Sequence, residues 1–355
     1  MRIGGWRAPP AAPPSFAGEL CFTDMWSSAL SHYRCTKCGI GKLRAASGEH
    51  ATPVMPYPCE TIVCVDCAAT YEITNGIPRF VPRENYAGTF GYQWNIHRKT
   101  QLDSYTGLPI SRTRLLGVTG WPQALPGQSV LEAGSGAGRF TEVLLTTGAT
   151  IFSFDYSSAV DANFANNGHL ANLNLFQGDI FNLPLHDQGF DKVLCLGVIQ
   201  HTPDPARAFT SLAAQVKPGG ELVIDVYTRS ITALLQWKYL LRPLTKRMRN
   251  EALYKLISTV VPVLLPFAAF LRRVAGRAGA RLVPIVEYSH LGLTHELNRQ
   301  WAILDTFDMY SPAHDHPQSL ACVKRWFEHA RFENIVVRHG PNGVVGKGTK
   351  PVCAA

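Results

Sequence analysis

The segment that most constrains the fold of this chain is residues 130–140, which read VLEAGSGAGRF. Residues 129–131 predict the end of a buried strand, and residues 140–145 predict the opening of a helix. The three glycines of the turn between them are Gly134, Gly136 and Gly138. Because this turn carries almost no side chains, a flat nucleoside-bearing ligand can lie directly against its backbone.

The spacing of these glycines excludes two common nucleotide-binding turns. A dinucleotide fingerprint requires G-x-G-x-x-G, but Arg139 stands where the last glycine would follow Gly134. A P-loop requires a lysine that this run does not supply. Glu132, at the end of the predicted strand, adds a carboxylate that faces the same crevice. The turn therefore favours a ligand with a single nucleoside.

Two later strand-like segments end in acidic residues that suit such a ligand. Residues 151–156 are an apolar strand that ends at Asp155, where a carboxylate can accept hydrogen bonds from ribose hydroxyls. Residues 176–180 include Asp179, which suits the exocyclic amine of an adenine. Two further strands are predicted at residues 190–197 and 220–226. The predicted fold class is α/β, with a doubly wound Rossmann-like sheet whose carboxyl edge forms one crevice.

This succession resembles the class I S-adenosylmethionine-dependent methyltransferases, of the methyltransferase type 11-like group, over residues 129–227. The resemblance implies that the glycines lie under the cofactor, Glu132 near its methionine end, Asp155 on its ribose and Asp179 on its adenine amine. The predicted cofactor-binding set also includes neighbours of these strand ends, Tyr156, Ile180 and Gly197. A Rossmann-like scaffold without a ligand and a partner-binding scaffold are the alternatives. The intact set of Glu132, Asp155 and Asp179 argues against a scaffold.

The cysteines predict a metal site. Two C-x-x-C knuckles, Cys35–Cys38 and Cys64–Cys67, supply four thiolates that suit a tetrahedral zinc ion. Cys59 leaves the ligand set slightly ambiguous, and redox chemistry is the rival interpretation. The dipeptide at residues 75–76, Asn-Gly, predicts a hairpin turn that closes a short β-sheet. The segment resembles a Trm112-like zinc ribbon, which implies that the Zn²⁺ is structural.

Six regions are predicted along the 355 residues. They are a disordered Pro-rich tail (1–15), a zinc ribbon (16–82), a helical lead-in that acts as a cofactor flap (83–128), the cofactor-binding core (129–229), a basic helical insertion or lid (230–310) and the C-terminal part of the methyltransferase fold (311–355). Within the lead-in, Tyr92 and Gln93 are predicted to lie at the edge of the cofactor pocket. The alternative is that the aromatic residues of this segment only join the ribbon to the core.

His201 is the candidate catalytic base, because it follows the fourth core strand, where an acceptor would approach the methyl group. A structural role for His201 is the alternative. A Pro-rich loop further along is predicted to line the acceptor pocket through Tyr310, His314 and His316. Its alternation of histidine and aspartate also raises the weaker alternative of a metal site.

The positive charge of the chain is concentrated in the insertion. Residues 229–300 contain twelve Lys and Arg against three Glu, in a chain whose net charge is +8. Such a basic, amphipathic segment suits a lid that contacts an anionic membrane or an acidic substrate. The alternative is a lid with a solvated basic face. Its longest uncharged apolar stretch, residues 256–271, is too short for a membrane span. The predicted location is therefore cytoplasmic, with peripheral membrane association as an option.

The predicted function is methyl transfer from S-adenosylmethionine to oxygen or nitrogen of a small molecule. A sugar, a lipid-linked glycan precursor or a secondary-metabolite precursor is the favoured acceptor, since the lead-in and C-terminal segments are similar to methyltransferases of such pathways. The alternative is an RNA base methyltransferase that uses the zinc ribbon for RNA recognition. The sequence favours the small molecule, because no stretch interleaves stacking aromatic residues with basic ones.

Overall fold

The computed structural model describes residues 30–46, 61–82, 85–229 and 237–352. The predicted disordered tail at residues 1–15 and Cys59 lie outside the described residues. The structural statements that follow refer to the described ranges.

The eleven strands of the described chain form one sheet, in the order β1-β2-β3-β4-β7-β6-β5-β8-β9-β11-β10. They are β1 (Leu43–Ala46), β2 (Thr61–Cys64), β3 (Thr70–Thr74), β4 (Ile77–Arg79), β5 (Ser129–Ala133), β6 (Thr150–Asp155), β7 (Leu173–Gln177), β8 (Phe190–Leu196), β9 (Val216–Val226), β10 (Glu333–His339) and β11 (Val344–Thr349). Strands β5 to β9 are parallel to their neighbours, whereas β11 is antiparallel to β9 and β10. The predicted α/β class is confirmed, and each of the five predicted core segments overlaps a strand, although β7 ends at Gln177, before Asp179.

The helices of the core cover both faces of the sheet. They are α1 (Gly88–Ile96), α2 (Asp103–Thr106), α3 (Ile110–Thr119), α4 (Arg139–Leu145), α5 (Ala159–Asn167), α6 (Pro205–Gln215) and α10 (Leu320–His329). Alternation along β5 sends Val130 to the cluster formed with α3, α4 and α5, and Leu131 to the cluster formed with α6 and α10. The core is therefore doubly wound, as predicted.

The strand order reverses between β5 and β8. From β5 the chain proceeds through β6 to β7 on one side, and then returns to form β8 and β9 on the other. In open α/β sheets this switch point leaves a crevice outside the carboxyl ends of the two central strands, where ligands bind. The glycine turn follows β5 at this point, and Gly197 follows β8.

The cysteine ribbon, residues 30–46 and 61–82, is continuous with the core sheet. Asn75 and Gly76 have φ angles of +53° and +76° and join β3 to β4, which confirms the predicted hairpin turn. Strand β4 then pairs in parallel with β7 through Arg79 and Gln177. The side chain of Arg79 bonds to Gln177 (3.0 Å) and to Asp161 on α5 (2.5 Å). The ribbon thus covers the edge that β7 would otherwise expose.

The insertion contributes three helices that form their own apolar cluster. They are α7 (Trp237–Thr245), α8 (Asn250–Ala280) and α9 (His295–Tyr310). Helix α8 buries one stripe of residues against α9, namely Leu253, Ile257, Val261, Leu265 and Ala268. Helix α8 is long and apolar enough to cross a membrane by length and composition. The uncharged stretch at residues 256–271 is as short as predicted, and the helix is longer because it continues past the charged residues at both ends of that stretch.

Candidate functional site

A cavity of about 1280 Å³ opens at the carboxyl ends of the central strands. Its inner wall is the glycine turn together with the ends of β6 and β8, and its roof includes α1, α3 and parts of the insertion. Ligand pockets in proteins commonly measure about 300–1,000 Å³, so this cavity has room for a cofactor and an acceptor side by side. The predicted cofactor residues that line it are Gly134, Gly136, Asp155, Tyr156, Ile180 and Gly197.

The turn requires glycine for two reasons: its backbone has positive φ angles, and a Cβ atom would contact neighbouring residues. Gly134, Gly136 and Gly138 have φ angles of +76°, +53° and +89°, which residues with a Cβ rarely adopt. A Cβ at Gly134 would overlap Val198, and one at Gly136 would lie 3.1 Å from the Trp94 ring. A Cβ at Gly138, which lies just outside the lining, would overlap Asn163. The turn therefore presents bare backbone to the cavity.

Asp155 joins two strand ends at the floor of the cavity. Its Oδ2 accepts a hydrogen bond from the Gly136 N–H (3.0 Å), and its Oδ1 accepts from the Ser157 N–H and hydroxyl (2.9 and 2.7 Å). Burial raises the pKa of Asp155, although the N–H donors oppose that rise. Each carboxylate oxygen retains lone pairs, so Asp155 can also accept from the hydroxyls of a ribose.

Ser135 is a further polar group that fits a ligand at this turn. It lines the cavity, it is 4% exposed, and its buried hydroxyl has no hydrogen-bond partner among the described residues. A buried polar atom without a partner is costly unless a ligand or water satisfies it. The residues present therefore fit a cofactor with polar groups at the glycine turn.

The adenine side of the predicted site is only partly as expected. Ile180 lines the cavity, but Asp179 does not, and its Oδ1 accepts from the Phe181 N–H (2.9 Å). Tyr86 and Tyr156 have ring centroids 4.9 Å apart and both line the cavity. An apolar and aromatic wall here suits a flat base.

Glu132 does not line the cavity, contrary to the expectation that it faces the crevice. It is 2% exposed, and its Oε2 accepts from Thr141 (2.5 Å) and Ser153 (2.8 Å). Burial raises the pKa of Glu132 to about 7. Its side chain thus ties β5 to α4 and β6 underneath the glycine turn. Alternation along β5 places it on the face that packs on α4, a detail that the motif alone does not reveal.

Tyr92 and Gln93 also lie outside the cavity lining. Gln93 is fully buried and donates to Asp308 on α9 (3.2 Å), while Tyr92 packs against Phe307. The residues of α1 that line the cavity are Phe90 and Trp94. Since α1 is a helix, Tyr92 faces a different side from Phe90 and Trp94, which lie two positions before and after it.

Two half-buried arginines are site residues that the sequence pattern did not reveal. Arg139 lines the cavity, donates to Gln101 and to Ser111 (3.1 Å), and lies over the Trp301 ring. Burial lowers the pKa of Arg139 to about 10. Arg114 also lines the cavity and forms an ion pair with the fully buried Asp225 (2.7 Å). The sequence drew attention to Arg139 only because it stands where a dinucleotide fingerprint has its last glycine. In the structure it is the first residue of α4.

His201 lines the cavity beyond Gly197 and Val198. It is 7% exposed, and its Nδ1 lies 3.0 Å from the carbonyl oxygen of His314. A carbonyl only accepts, so Nδ1 carries the proton and Nε2 of the neutral ring carries the lone pair. Burial lowers the pKa of His201, although Asp308 acts in the opposite direction. Burial therefore favours the neutral ring over the imidazolium ion.

The loop that was predicted to line the acceptor pocket instead contacts His201 from outside the cavity. His314 holds His201 through its carbonyl, and its ring stacks with that of His316, with centroids 5.8 Å apart. Tyr310 is buried and donates to the Pro284 carbonyl (2.9 Å). None of the three lines the cavity in the described structure. The polar residues around His201 that do are Tyr227, Lys238, Tyr239 and Asp308.

The four predicted metal-binding cysteines lie together in the ribbon. All four Sγ atoms are within 4.8 Å of one another, and the pairs Cys35–Cys67 and Cys38–Cys64 are 3.6 and 3.8 Å apart. Four sulfurs at about 2.3 Å from a tetrahedral zinc would be about 3.8 Å apart. A disulfide is far shorter. The donor set therefore fits zinc, and in the described chain it is the one such cluster, which leaves the His-Asp-His loop without support as a metal site.

Comparisons with known proteins agree with this geometry. A family described as a methyltransferase domain matches residues 131–224. A ubiquinone biosynthesis O-methyltransferase of Coxiella burnetii is 36% identical over 114 residues, which are 31% of this chain and 48% of that protein. A tRNA U34 carboxymethyltransferase of Nautilia profundicola is 31% identical over 104 residues, which are 28% of this chain and 35% of that protein.

Among solved structures, a complex between the Haloferax volcanii Trm112 methyltransferase activator and a methyltransferase is similar with a TM-score of 0.42 and 14% identity. It covers 76% of this chain and 99% of that chain. The chain spans about half the length of the first curated relatives it matches. Residues 131–224, which hold the glycine turn and the five parallel core strands in whole or in part, thus match a methyltransferase domain.

Proposed function

We propose that this protein methylates a small molecule bound beside His201, with S-adenosylmethionine held over the glycine turn. The observation that carries this proposal is that one cavity connects the bare turn at Gly134 and Gly136 with the buried imidazole of His201. When bound, S-adenosylmethionine supplies an electrophilic methyl group on a sulfonium. The protein then has to align the acceptor, exclude water and take up a proton where the acceptor loses one.

The cofactor would be held by groups spread along the inner cavity. Asp155 would accept from the ribose hydroxyls, and Ile180 with Tyr156 would flank the base. Ser135 and the half-buried guanidinium of Arg139 would bind the amino-acid end, since a carboxylate would compensate a cation that is partly removed from water. Asp179, Tyr92 and Gln93 act at most indirectly in this proposal, because none of them lines the cavity.

The acceptor would approach from the side of His201. With Nδ1 bonded to the His314 carbonyl, Nε2 can take a proton from a hydroxyl as the methyl group arrives. An O-acceptor needs this base, whereas an N-acceptor with a free lone pair does not. The buried imidazole therefore favours an O-acceptor, such as a hydroxyl of a sugar, a lipid-linked glycan precursor or a secondary-metabolite precursor.

An RNA base is the second candidate acceptor, because one similar protein is named as a tRNA U34 carboxymethyltransferase. The sequence argues against it, because no stretch interleaves stacking aromatic residues with basic ones. Screening labelled S-adenosylmethionine against nucleotide sugars, lipid-linked sugars, phenolic metabolites and total tRNA separates the two. Label in tRNA alone would overturn the small-molecule proposal.

We also propose that the ribbon holds one structural Zn²⁺ through Cys35, Cys38, Cys64 and Cys67. The Gly41 N–H donates to Cys38 Sγ (3.3 Å), and a Cβ at Gly41 would overlap Cys64 Sγ. Four thiolates leave no open coordination position, so the metal would contribute to folding and not to catalysis.

Finally, we propose a cytoplasmic protein whose insertion contacts a membrane at its surface. Side chains on the outer faces of α7 and α8 are exposed although they are large and apolar: Leu240 (70%), Leu244 (69%), Val263 (74%), Phe267 (55%), Phe270 (59%) and Val274 (68%). The opposite stripe of α8 is buried on α9, which favours an orientation in the plane of the membrane over a span. Lys246, Arg247 and Lys255 add cations suited to anionic lipid.

Asp155→Asn is expected to weaken binding of S-adenosylhomocysteine by about ten- to a hundredfold, because a charge-assisted acceptor for the ribose is lost. Titration calorimetry measures this. Glu328→Gln, a change of a surface carboxylate on α10, is the control and should leave the affinity unchanged. Equal affinities of the Asp155 variant and the wild type would contradict the cofactor assignment.

His201→Asn is expected to lower kcat by about 10²- to 10⁴-fold and to leave the affinity for S-adenosylhomocysteine unchanged. The asparagine amide can still donate to the His314 carbonyl, so the loop stays in place. In the wild type, kcat/KM should rise with pH through a pKa below that of an ordinary histidine, because the neutral form is the base. Full turnover of the variant, with the same pH profile, would remove His201 from the chemistry.

The purified protein is expected to contain one zinc per chain, measured by elemental mass spectrometry. Removal of zinc by a chelator should lower the melting temperature, because folding of the ribbon and zinc binding are coupled. Cys64→Ser should lose the metal, whereas Cys322→Ser, outside the ribbon, should keep it. Metal-free protein with an unchanged melting temperature would contradict a structural zinc.

Phe267→Ser combined with Phe270→Ser is expected to reduce recovery of the protein with floating vesicles of phosphatidylcholine and phosphatidylglycerol, because exposed apolar contact area is lost. Val336→Ser, an exposed apolar residue on β10, is the matched control. If the double variant and the wild type float equally, these faces do not contact the membrane.

A further inference from the structure

The cavity is lined by more cationic side chains than carboxylates, and three of its arginines lie at its outer end. The cationic side chains that line the cavity are Arg114, Arg139, Lys238, Arg242, Arg277, Arg281 and Arg338. The carboxylates that line it are Asp155, Asp305 and Asp308. Arg277, Arg281 and Arg338 are exposed at the mouth, where α8 ends and β10 passes.

We infer that Arg277, Arg281 and Arg338 form an anion-binding subsite that recognises a phosphate group on the methyl acceptor. This inference rests on the proposed function, because it assumes that the acceptor occupies the same cavity. It adds a chemical class to the acceptor: the molecule carries a phosphate at a distance from the group that is methylated.

Three of the other cations of the cavity are engaged in ion pairs, whereas Arg277, Arg281 and Arg338 are not within the described ranges. Arg114 is paired with Asp225 (2.7 Å), and Lys238 and Arg242 share the buried Asp315 (3.0 and 3.6 Å). No ion pair joins Arg277, Arg281 or Arg338 to a carboxylate within the described ranges. Arg338 donates one bond to the Gly117 carbonyl (2.7 Å), which holds its guanidinium near the mouth.

The carboxylates of the cavity are already engaged in its interior. Asp305 accepts from Tyr288 and from Gln101 (3.1 Å), and burial raises the pKa of Asp305 to about 6. Asp308 accepts from Gln93 (3.2 Å) and Tyr227 (3.2 Å). Neither carboxylate forms an ion pair with Arg277, Arg281 or Arg338 within the described ranges.

A kink in α8 changes the direction of the helix just before Arg277, and the residues after the kink include two that line the cavity. Gly276 has a φ angle of +59° and a ψ angle of −145°, which interrupts the helix just before Arg277. Arg272, one turn earlier, is paired with Glu287, which fixes the helix against the following loop. The kink therefore separates the apolar outer face of α8 from a short cationic end that lines the cavity.

Arginine suits phosphate because its planar guanidinium donates two parallel hydrogen bonds to two phosphate oxygens. Arg277 and Arg281 lie one helical turn apart and can bind one phosphate together, while Arg338 lines the same cavity. The phosphate can belong to a free phosphorylated metabolite or to a lipid head group, since the mouth adjoins exposed apolar residues such as Leu282 (67% exposed). The recognition chemistry is the same for both.

The test uses inorganic pyrophosphate as the probe, titrated by calorimetry into the full-length protein saturated with S-adenosylhomocysteine. The wild type should bind one pyrophosphate. Arg277→Gln combined with Arg281→Gln should weaken that binding at least about tenfold, because two charge-assisted contacts are lost. Arg273→Gln is the matched control: it is exposed on the same helix, does not line the cavity, and should leave binding unchanged.

Absence of pyrophosphate binding in the wild type, or an equal loss in the Arg273 control, would overturn the subsite. Affinity for S-adenosylhomocysteine, measured on the same samples, separates this failure from a failure of the proposed function. A competition arm identifies the source of the phosphate. Release of the protein from phosphatidylglycerol vesicles by pyrophosphate, in the wild type and not in the Arg277/Arg281 variant, supports a lipid head group. Vesicle binding that pyrophosphate does not affect supports a free phosphorylated acceptor.

Discussion

The hydrogen bond from the Gly136 N–H to the carboxylate of Asp155 is the contact on which the rest of the site depends. It joins the turn after β5 to the end of β6, and therefore fixes the position of the glycine turn at the floor of the cavity. Glu132 reinforces the same junction from below through Thr141 and Ser153. With the floor fixed in this way, the flap helix α1 can place Trp94 directly over Gly136.

The ribbon has a structural connection to this floor. Strand β4 extends the sheet beyond β7, and Asn182, in the loop after β7, donates to the Thr36 carbonyl between the first two cysteines (3.1 Å). The same loop carries Ile180, which lines the cavity. A zinc ion in the ribbon would thus stabilise the edge of the core sheet and, through it, the wall of the cofactor pocket.

Local patterns in the sequence predicted much of the fold. The glycine turn, the acid after β6, the Asn75–Gly76 hairpin and the paired C-x-x-C knuckles each depend on a few neighbouring residues, so their conformations follow from short-range sterics and chemistry. Short-range patterns did not predict which way individual side chains point. Glu132 and Gln93 turn into the protein because of Thr141 and Asp308, partners that the chain brings near only on folding.

The same reasoning explains why the arginines of the cavity were missed. Arg114 and Asp225 are separated by 111 positions, and no periodicity or spacing connects them. The basic character of the insertion was visible in the sequence, but not which cations are paired and which face the cavity. The region boundaries and the roles of the site residues remain predictions that depend on ligand-bound measurements.

A crystal structure of the full-length protein with S-adenosylhomocysteine tests the central claim most directly. The account predicts the ribose hydroxyls within hydrogen-bond distance of Asp155, the base against Ile180 and Tyr156, and the sulfur facing the side of the cavity that holds His201. A ligand bound away from the glycine turn, or one whose sulfur points away from His201, would contradict the account.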